Sequence, residues 1–593
     1  LTYEPWMQHL RAKDVNNGAL VALDYETGEI VAYVGSADYY AAKASRQFQP
    51  KFDVLADGWR QPGSAFKPFN YVTGIEDRTL TPATMLMDVT TDFGGGYTPT
   101  DADNLERGPV RVRDALRFSL NIPSVKAAAV NGVDHVFAKA QQFGLRFRTE
   151  TTGAGLSIAL GTEEVHPVDL VTGYGTLANG GRHIGHTTIL QILDGDGHDV
   201  VPAYAPPTGE QAVSAQAAYL VTDILAGNTD PKTNPFWGKF EIDASDGTRR
   251  PATLKTGTNN DARDLNAYGF IAPPDAAGRR DGEYALAVGA WNGNSDNSVV
   301  STPDNPVFSI DVTTYVWQGF MQEVTAAWPV RDFARPDGLV EAKVDPWTGL
   351  QPGRGGKSVT ELFIAGTEPG ERVPSVEASA PRASPAGSDG AIGESASPAG
   401  GEAPSPSSAR TGTNSGCAEA VLAAVGYESR FAPWLAADRA WLARAVRGPG
   451  VAGGPERTRT AYFYNGQFRP YGASWGPFSG IGCLRAAPSP PPTESPSPCP
   501  PDVGAPGDSP SPADSAAPIA SSGAPCLPAA SPSPLESASP SPSESPSPSP
   551  SPSPGATPTP VETPPPTAPP PPAPTPPPAA PATPAAPAAS PTP

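Results

Sequence analysis

The stretch Gln61-Pro62-Gly63-Ser64-Ala65-Phe66-Lys67-Pro68-Phe69-Asn70-Tyr71-Val72 sets a serine at a helix start and a lysine three residues into that helix. Gln61-Pro62-Gly63 is a breaker cluster, and behind it apolar residues at Phe66, Phe69, Val72 and Ile75 keep the spacing of a buried helix. Positions three apart share a helix face, so the Lys67 amine is expected beside the Ser64 hydroxyl, as activation of a weak nucleophile requires. The helix N-terminus also favours negative charge. Pro68 lacks a backbone donor, but in the first turn that donor has no intrahelical partner, and the helix prediction stands.

Downstream, Lys255-Thr256-Gly257-Thr258 follows Ala252-Thr253-Leu254, and the runs from Leu265 to Ala272 and from Tyr284 to Trp291 are apolar and β-rich. This predicts an antiparallel edge strand with two neighbours. Close backbone approach by a ligand would explain Gly257, while Lys255, Thr256 and Thr258 present a cation and hydroxyls to a carboxylate. Between these motifs, Val110 to Leu120 reads as a short helix that ends near Asn121 because Ile122-Pro123 follows, leaving Ser119-Leu120-Asn121 on a loop that faces the other two. Each motif alone is weak: a Ser-x-x-Lys tetrapeptide is expected about twice by chance in such a chain, an isolated Lys-Thr-Gly is commonly a loop, and a Ser-x-Asn is commonly a cap. Their order, spacing and settings carry the weight.

The three together resemble the active-site signature of serine acyltransferases inhibited by penicillin. The wider chain resembles the penicillin-binding proteins, specifically the transpeptidase domain of the bifunctional, class A kind. Gly18 to Asp24 with Thr27 to Ala32 and Gly35-Ser36 is similar to the opening hairpin of that domain. Leu160-Gly161, Glu164-Val165, Pro167, Leu170 and Ala178-Asn179-Gly180-Gly181 resemble its middle helices, and Val344-Asp345, Thr348-Gly349 and Gly366-Thr367-Glu368-Pro369 its closing segment. The resemblance implies an α+β fold, shared with β-lactamases: an antiparallel sheet flanked by helices, plus a helical subdomain, over residues 15–370. Residues 1–14 are then the end of a preceding linker. Opening at Leu1, the chain is expected to be a piece of a longer protein, with any membrane anchor in the missing N-terminal part; no glycosyltransferase residues are assigned.

The same resemblance implies roles. Ser64 would attack the carbonyl between the two terminal D-alanines of a peptidoglycan stem peptide, with Lys67 taking its proton; burial and neighbouring cations such as Lys255 would lower the Lys67 pKa. Ser119 would pass a proton to the departing D-alanine, Asn121 would hydrogen-bond the substrate backbone, and Lys255, Thr256 and Thr258 would hold the terminal carboxylate beside Gly257. The backbone N–H groups of Ser64 and Thr258 would form an oxyanion hole, each donor contributing about 3 kcal/mol. An acceptor amine then makes a cross-link, water gives carboxypeptidase activity, and a β-lactam gives a stalled acyl-enzyme. No cofactor or metal is implied. Expected partners are stem peptides, β-lactam inhibitors, and cell-wall, division or elongation proteins, on the extracytoplasmic face of the bacterial membrane.

Composition agrees. The 593 residues carry a formal net charge of -20, which argues against a nucleic-acid partner, and hydrophobic residues make up only 38% because 76 prolines crowd toward the C-terminal end. Residues 371–413 have the composition of a flexible linker. In 414–486 apolar residues return: Ala418 to Val425 and Trp434 to Val446 read as helices, and Ala461 to Tyr464 with Gln467 to Arg469 as a hairpin around Asn465-Gly466. This small α+β module is bracketed by Cys417 and Cys483, whose pairing is expected among the three connectivities that four cysteines allow and fits an oxidising compartment. Its aromatics, Trp434 and Trp441 among them, read as core, with glycan binding as the alternative. Residues 487–593 form a disordered Pro/Ser/Thr/Ala-rich tail. His183 and His186 read as loop histidines, and Gly94-Gly95-Gly96 as a turn. Two other functions compete with the transpeptidase: a β-lactamase or D,D-carboxypeptidase on the same motifs, and a non-catalytic penicillin-binding sensor or wall anchor.

Overall fold

The computed structural model describes residues 10–373 apart from 103, 105, 151–152, 154, 235, 260–261, 276, 302–305 and 354–357, together with 422–423, 431–445, 461–464 and 467–470. Among these, a central antiparallel sheet is built from β1 (Asn17–Asp24), β2 (Ile30–Val34), β3 (Lys255–Thr258), β4 (Asp264–Phe270) and β5 (Leu286–Gly293), in the spatial order β2-β1-β5-β4-β3. The predicted Lys-Thr-Gly edge strand and its two neighbours are therefore β3, β4 and β5.

Every residue of β1, β4 and β5 is buried, because helices cover both faces of the sheet. Tyr268 and Gly289 are register partners and point to one face, where a Cβ on Gly289 would come within 3.2 Å of Val171 in the Pro167–Ala178 helix. Gly269, one residue on, faces the other way, and a Cβ there would meet Trp317 of the Thr313–Thr325 helix at 2.7 Å. Strands covered on both sides lose the alternation of a half-exposed strand, which is why these runs read as continuously apolar.

The helices that matter for the site are α1 (Lys67–Glu76), α2 (Asn121–Asn131) and α3 (Pro167–Ala178). All of α1 but Glu76 is buried, as its apolar spacing predicts, and Pro68 lies in its first turn. Tyr174 of α3 stacks on Tyr268 with ring centroids 5.3 Å apart, and its hydroxyl donates to Ala65 O at 2.8 Å. One side chain thus ties the sheet, α3 and the turn that carries Ser64.

One expectation is overturned. The helix Val112–Arg117 stops earlier than predicted, Ser119 takes a φ of 59°, and Asn121 opens α2 instead of ending a helix. Ile122-Pro123 does not terminate anything here: Pro123 falls in the first turn of α2, where its missing N–H has no helical partner.

Beyond residue 373 the described segments include Phe431, the short turn Ala432–Trp434 and helix α4 (Leu435–Ala445), near the predicted span from Trp434 to Val446. Ala461–Tyr464 pairs antiparallel with Gln467–Pro470, as the hairpin reading expects. Leu422, Phe431, Leu435 and Trp441 are buried in the same core as the sheet. Cys417, Cys483, most of the helix predicted from Ala418 to Val425, and the Pro/Ser-rich tail lie outside the described residues. Among the described residues no helix is long and apolar enough to cross a membrane.

Candidate active site

Ser64 stands in a single 3₁₀ turn, Gly63–Phe66, that leads directly into α1. The turn packs against β3 so closely that side chains are excluded on both sides. A Cβ on Gly63, whose φ is +55°, would lie 2.7 Å from the Thr258 backbone, and one on Gly257 would lie 2.1 Å from Pro62 O. Sequence reasoning expects a ligand against Gly257; the close neighbour is the chain's own Ser64 turn, at Pro62 O and Ala65. The contact sets the backbone of Ser64 alongside that of Thr258.

Lys67 is the first residue of α1 and its side chain is fully buried. Its Nζ donates to Ser119 O at 2.6 Å and to Asn121 Oδ1 at 2.7 Å, with Ser119 Oγ at 3.5 Å. These bonds go to Ser119 and Asn121 instead of to the Ser64 hydroxyl that helix spacing sets beside it. A buried ammonium needs acceptors to offset its desolvation, and Ser119 O and Asn121 Oδ1 supply them. Burial pushes the Lys67 pKa down to about 7, opposed by the charges of Asp101 and Asp88.

Lys255, from β3, reaches the same point from the opposite side. Its Nζ donates to Ser119 Oγ at 2.7 Å and to its neighbour Thr256 O at 2.8 Å. Burial lowers its pKa, and the charge of Lys67 lowers it further. Two amines on one hydroxyl in a dry site disfavour double protonation. Ser119 Oγ therefore lies between two amines whose pKa values are both lowered, and the left-handed backbone at Ser119 is what aims it there.

Three residues that sequence reasoning misses hold this set in place. Thr100 O accepts from Asn121 Nδ2 at 2.7 Å and the Asp101 carboxylate accepts from Asn121 N, which leaves Asn121 Oδ1 turned to Lys67. Beside β3, in the 3₁₀ turn Ser309–Asp311, the buried Ser309 hydroxyl donates to Gly257 O and lies 2.8 Å from Thr258 Oγ1, while accepting from Asn266 N at 3.0 Å. All three are ordinary polar residues outside the long helices and the central strands, with no local spacing to mark them.

The predicted residues Ser64, Lys67, Ser119, Asn121, Lys255, Thr256, Gly257 and Thr258 are thus brought together from the Gly63–Phe66 turn, the start of α1, the segment that opens α2, and β3. A family model described as the penicillin binding protein transpeptidase domain matches residues 18–276, and one described as the C-terminal domain of Penicillin-binding protein 1A matches residues 335–373. Penicillin-binding protein 2D of Bacillus subtilis is 30% identical over 356 residues, 59% of this chain and 47% of that protein. Penicillin-binding protein 1A of Neisseria gonorrhoeae is 30% identical over 294 residues, 46% of this chain and 35% of that one. The chain spans less than half the length of these curated relatives. The crystal structure of Penicillin-Binding Protein 1A from Haemophilus influenzae aligns with a TM-score of 0.50 at 25% identity, covering 60% of this chain and 54% of that one. The three motifs, both family segments and these relatives agree that this chain carries the transpeptidase region of a class A penicillin-binding protein.

Proposed function

We propose that this chain is a peptidoglycan D,D-transpeptidase working through a serine acyl-enzyme. The observation that carries the reading is the convergence of Lys67 and Lys255 on the Ser119 hydroxyl. Neutral Lys67 accepts the Ser64 proton as Ser64 Oγ bonds to the carbonyl carbon of the penultimate D-alanine. The C–N bond to the terminal D-alanine breaks, and the leaving amine takes its proton through Ser119, so that the amine departs neutral and Ser64 holds an ester. A stem-peptide amine then attacks the ester, gives up a proton along the same relay and restores the Ser64 hydroxyl. Lys255, with Thr256 and Thr258, takes the substrate's terminal carboxylate; Asn121 takes its backbone. The N–H groups of Ser64 and Thr258 receive the oxyanion, a donor pair worth about 3 kcal/mol each. The proposed setting is the extracytoplasmic face of the cell membrane, facing the wall, with β-lactams as inhibitors that leave the ester stalled.

The test is acylation by a fluorescent penicillin of the full chain and of Ser64→Ala, with the label mapped by peptide analysis, its release timed, and a stem-peptide donor then offered with and without an amine acceptor. Stoichiometric label at Ser64, slow release and an amide product support the transpeptidase. Fast release indicates a β-lactamase, hydrolysis alone a carboxypeptidase, and a folded chain that takes no label overturns the catalytic reading.

A further inference from the structure

Helix α4 lies beyond the transpeptidase region in the chain yet is seated on it, at a place connected to Asn121 from two directions. The first runs through α2. Asp438 of α4 pairs with Lys126 at 2.8 Å, and both side chains are completely buried. Lys126 is on the helix that Asn121 opens. The second runs through the loop between the short strands Met85–Asp88 and Gly108–Arg111. Trp434, just before α4, meets the ring of Phe93 in that loop at 5.0 Å, and Trp441 fills the space over Gly108, where a Cβ would be 2.2 Å from its ring. Next to Gly108, Arg107 bridges Asp101 at 3.1 Å and Asp88 at 3.3 Å. Thr100 and Asp101 of this loop are the residues that grip Asn121.

We infer that α4 with Trp434 is an intrachain positioning element for the active site: it clamps the residue 89–107 loop against α2, and so holds the Asn121 amide on Lys67. The inference rests on the proposed acyl-enzyme reading. The residues of α4 touch no reacting group; they act through Asn121. A buried ion pair fits such a role, since removing one partner leaves the other buried and uncompensated, whereas replacing both by apolar side chains restores a dry contact.

The experiment uses the full chain and the variants Asp438→Asn, Trp441→Ala, Asp438→Glu, and the double variant Lys126→Met with Asp438→Leu. Penicillin acylation is followed over a concentration series, which separates the first-order acylation step from binding, and hydrogen exchange is read in peptides from 431–441 and 89–107. Misplacing a group by about 1 Å costs on the order of 10- to 100-fold in rate. Asp438→Asn and Trp441→Ala are expected to slow the acylation step by about that factor, with the half-saturating penicillin concentration little changed and faster exchange in both peptides. Asp438→Glu and the apolar double variant are expected to recover most of the rate. A folded variant with rapid exchange in 431–441 and an unchanged acylation step overturns the inference. So does a helix that stays protected in every variant, since the buried pair and Trp441 are then not what docks it. Failure of the unmodified chain to take label at Ser64 would instead count against the acyl-enzyme reading itself.

Discussion

At the scale of single residues, the proposed chemistry turns on the protonation of Lys67. Protonated, its amine cannot accept the Ser64 proton; with its pKa lowered to about 7, the neutral fraction grows as the pH rises through that value. Penicillin acylation is therefore expected to rise with pH through a midpoint near 7 and to level off above it, with the limb belonging to the coupled Lys67 and Lys255 pair. Lys67→Arg keeps the charge but cannot lose its proton, so the acylation step should fall by about 10²- to 10⁴-fold at every pH. An arginine variant that retains the rate, or a flat profile from pH 5.5 to 9, would remove Lys67 from the role of base. Ser64, Lys67 and Lys255 stand out in the sequence because neighbours within a few positions constrain them, as a breaker, a helix face and an edge strand, whereas Ser119 and Asn121 stand out only through the order of the three motifs. Thr100, Asp101 and Ser309 are not legible, because what gives each its function is a partner far along the chain and a backbone path that no short spacing encodes.

At the scale of elements, the decisive contact is between β3 and the turn that carries Ser64. Gly257 needs no unusual φ, so its requirement is space alone: a methyl would press on Pro62 O at 2.1 Å and on Ala65 N at 2.8 Å, both backbone atoms with little room to give. Gly257→Ala is expected to destabilise the fold by about 1–3 kcal/mol through overpacking. By parting the strand from Ser64, it should also slow acylation on the order of 100-fold. Denaturant unfolding and acylation rates on the same sample check both; a methyl that leaves stability intact while weakening only ligand binding would restore the ligand-contact explanation drawn from the sequence. The strands were readable because burial on both faces leaves unbroken apolar runs, and α1 because its apolar spacing is regular. The start of α2 was not, since Ile-Pro stops a helix in its interior but is tolerated in a first turn, and the choice between these was made by the left-handed backbone of Ser119.

At the scale of the whole molecule, the segment around Val359–Ile364 is fastened to the helix Val112–Arg117 by charge in a chain whose composition gives no hint of it. The Glu361 carboxylate, fully buried, accepts from Arg111 at 2.8 Å and from Arg113 at 2.6 Å; Arg113 also pairs with Asp223 at 2.7 Å, and Arg111 with Asp114 at 2.9 Å. A net charge of -20 describes the surface and the solvent, whereas this cluster is an interior arrangement of five charges from four segments. The Lys126–Asp438 pair is equally hidden, its partners 312 positions apart. Long-range pairs of this kind are where sequence reasoning runs out, because either residue alone reads as an ordinary surface charge. Glu361 is the shared partner, and Glu361→Gln leaves two guanidinium groups in a dry site with a neutral acceptor. Breaking a buried pair from one side costs about 3–5 kcal/mol, and Asp223 and Asp114 offset part of that, so the expected loss lies toward the lower end. The Ser119 and Lys67 contacts do not pass through Glu361, so acylation by penicillin should survive in the folded fraction, while the denaturant midpoint drops. A variant as stable as the parent chain would mean that the two arginines are held by Asp223 and Asp114 alone, and that the 359–364 strand is kept in place by its apolar face, Phe363 against Val344 and Ala83.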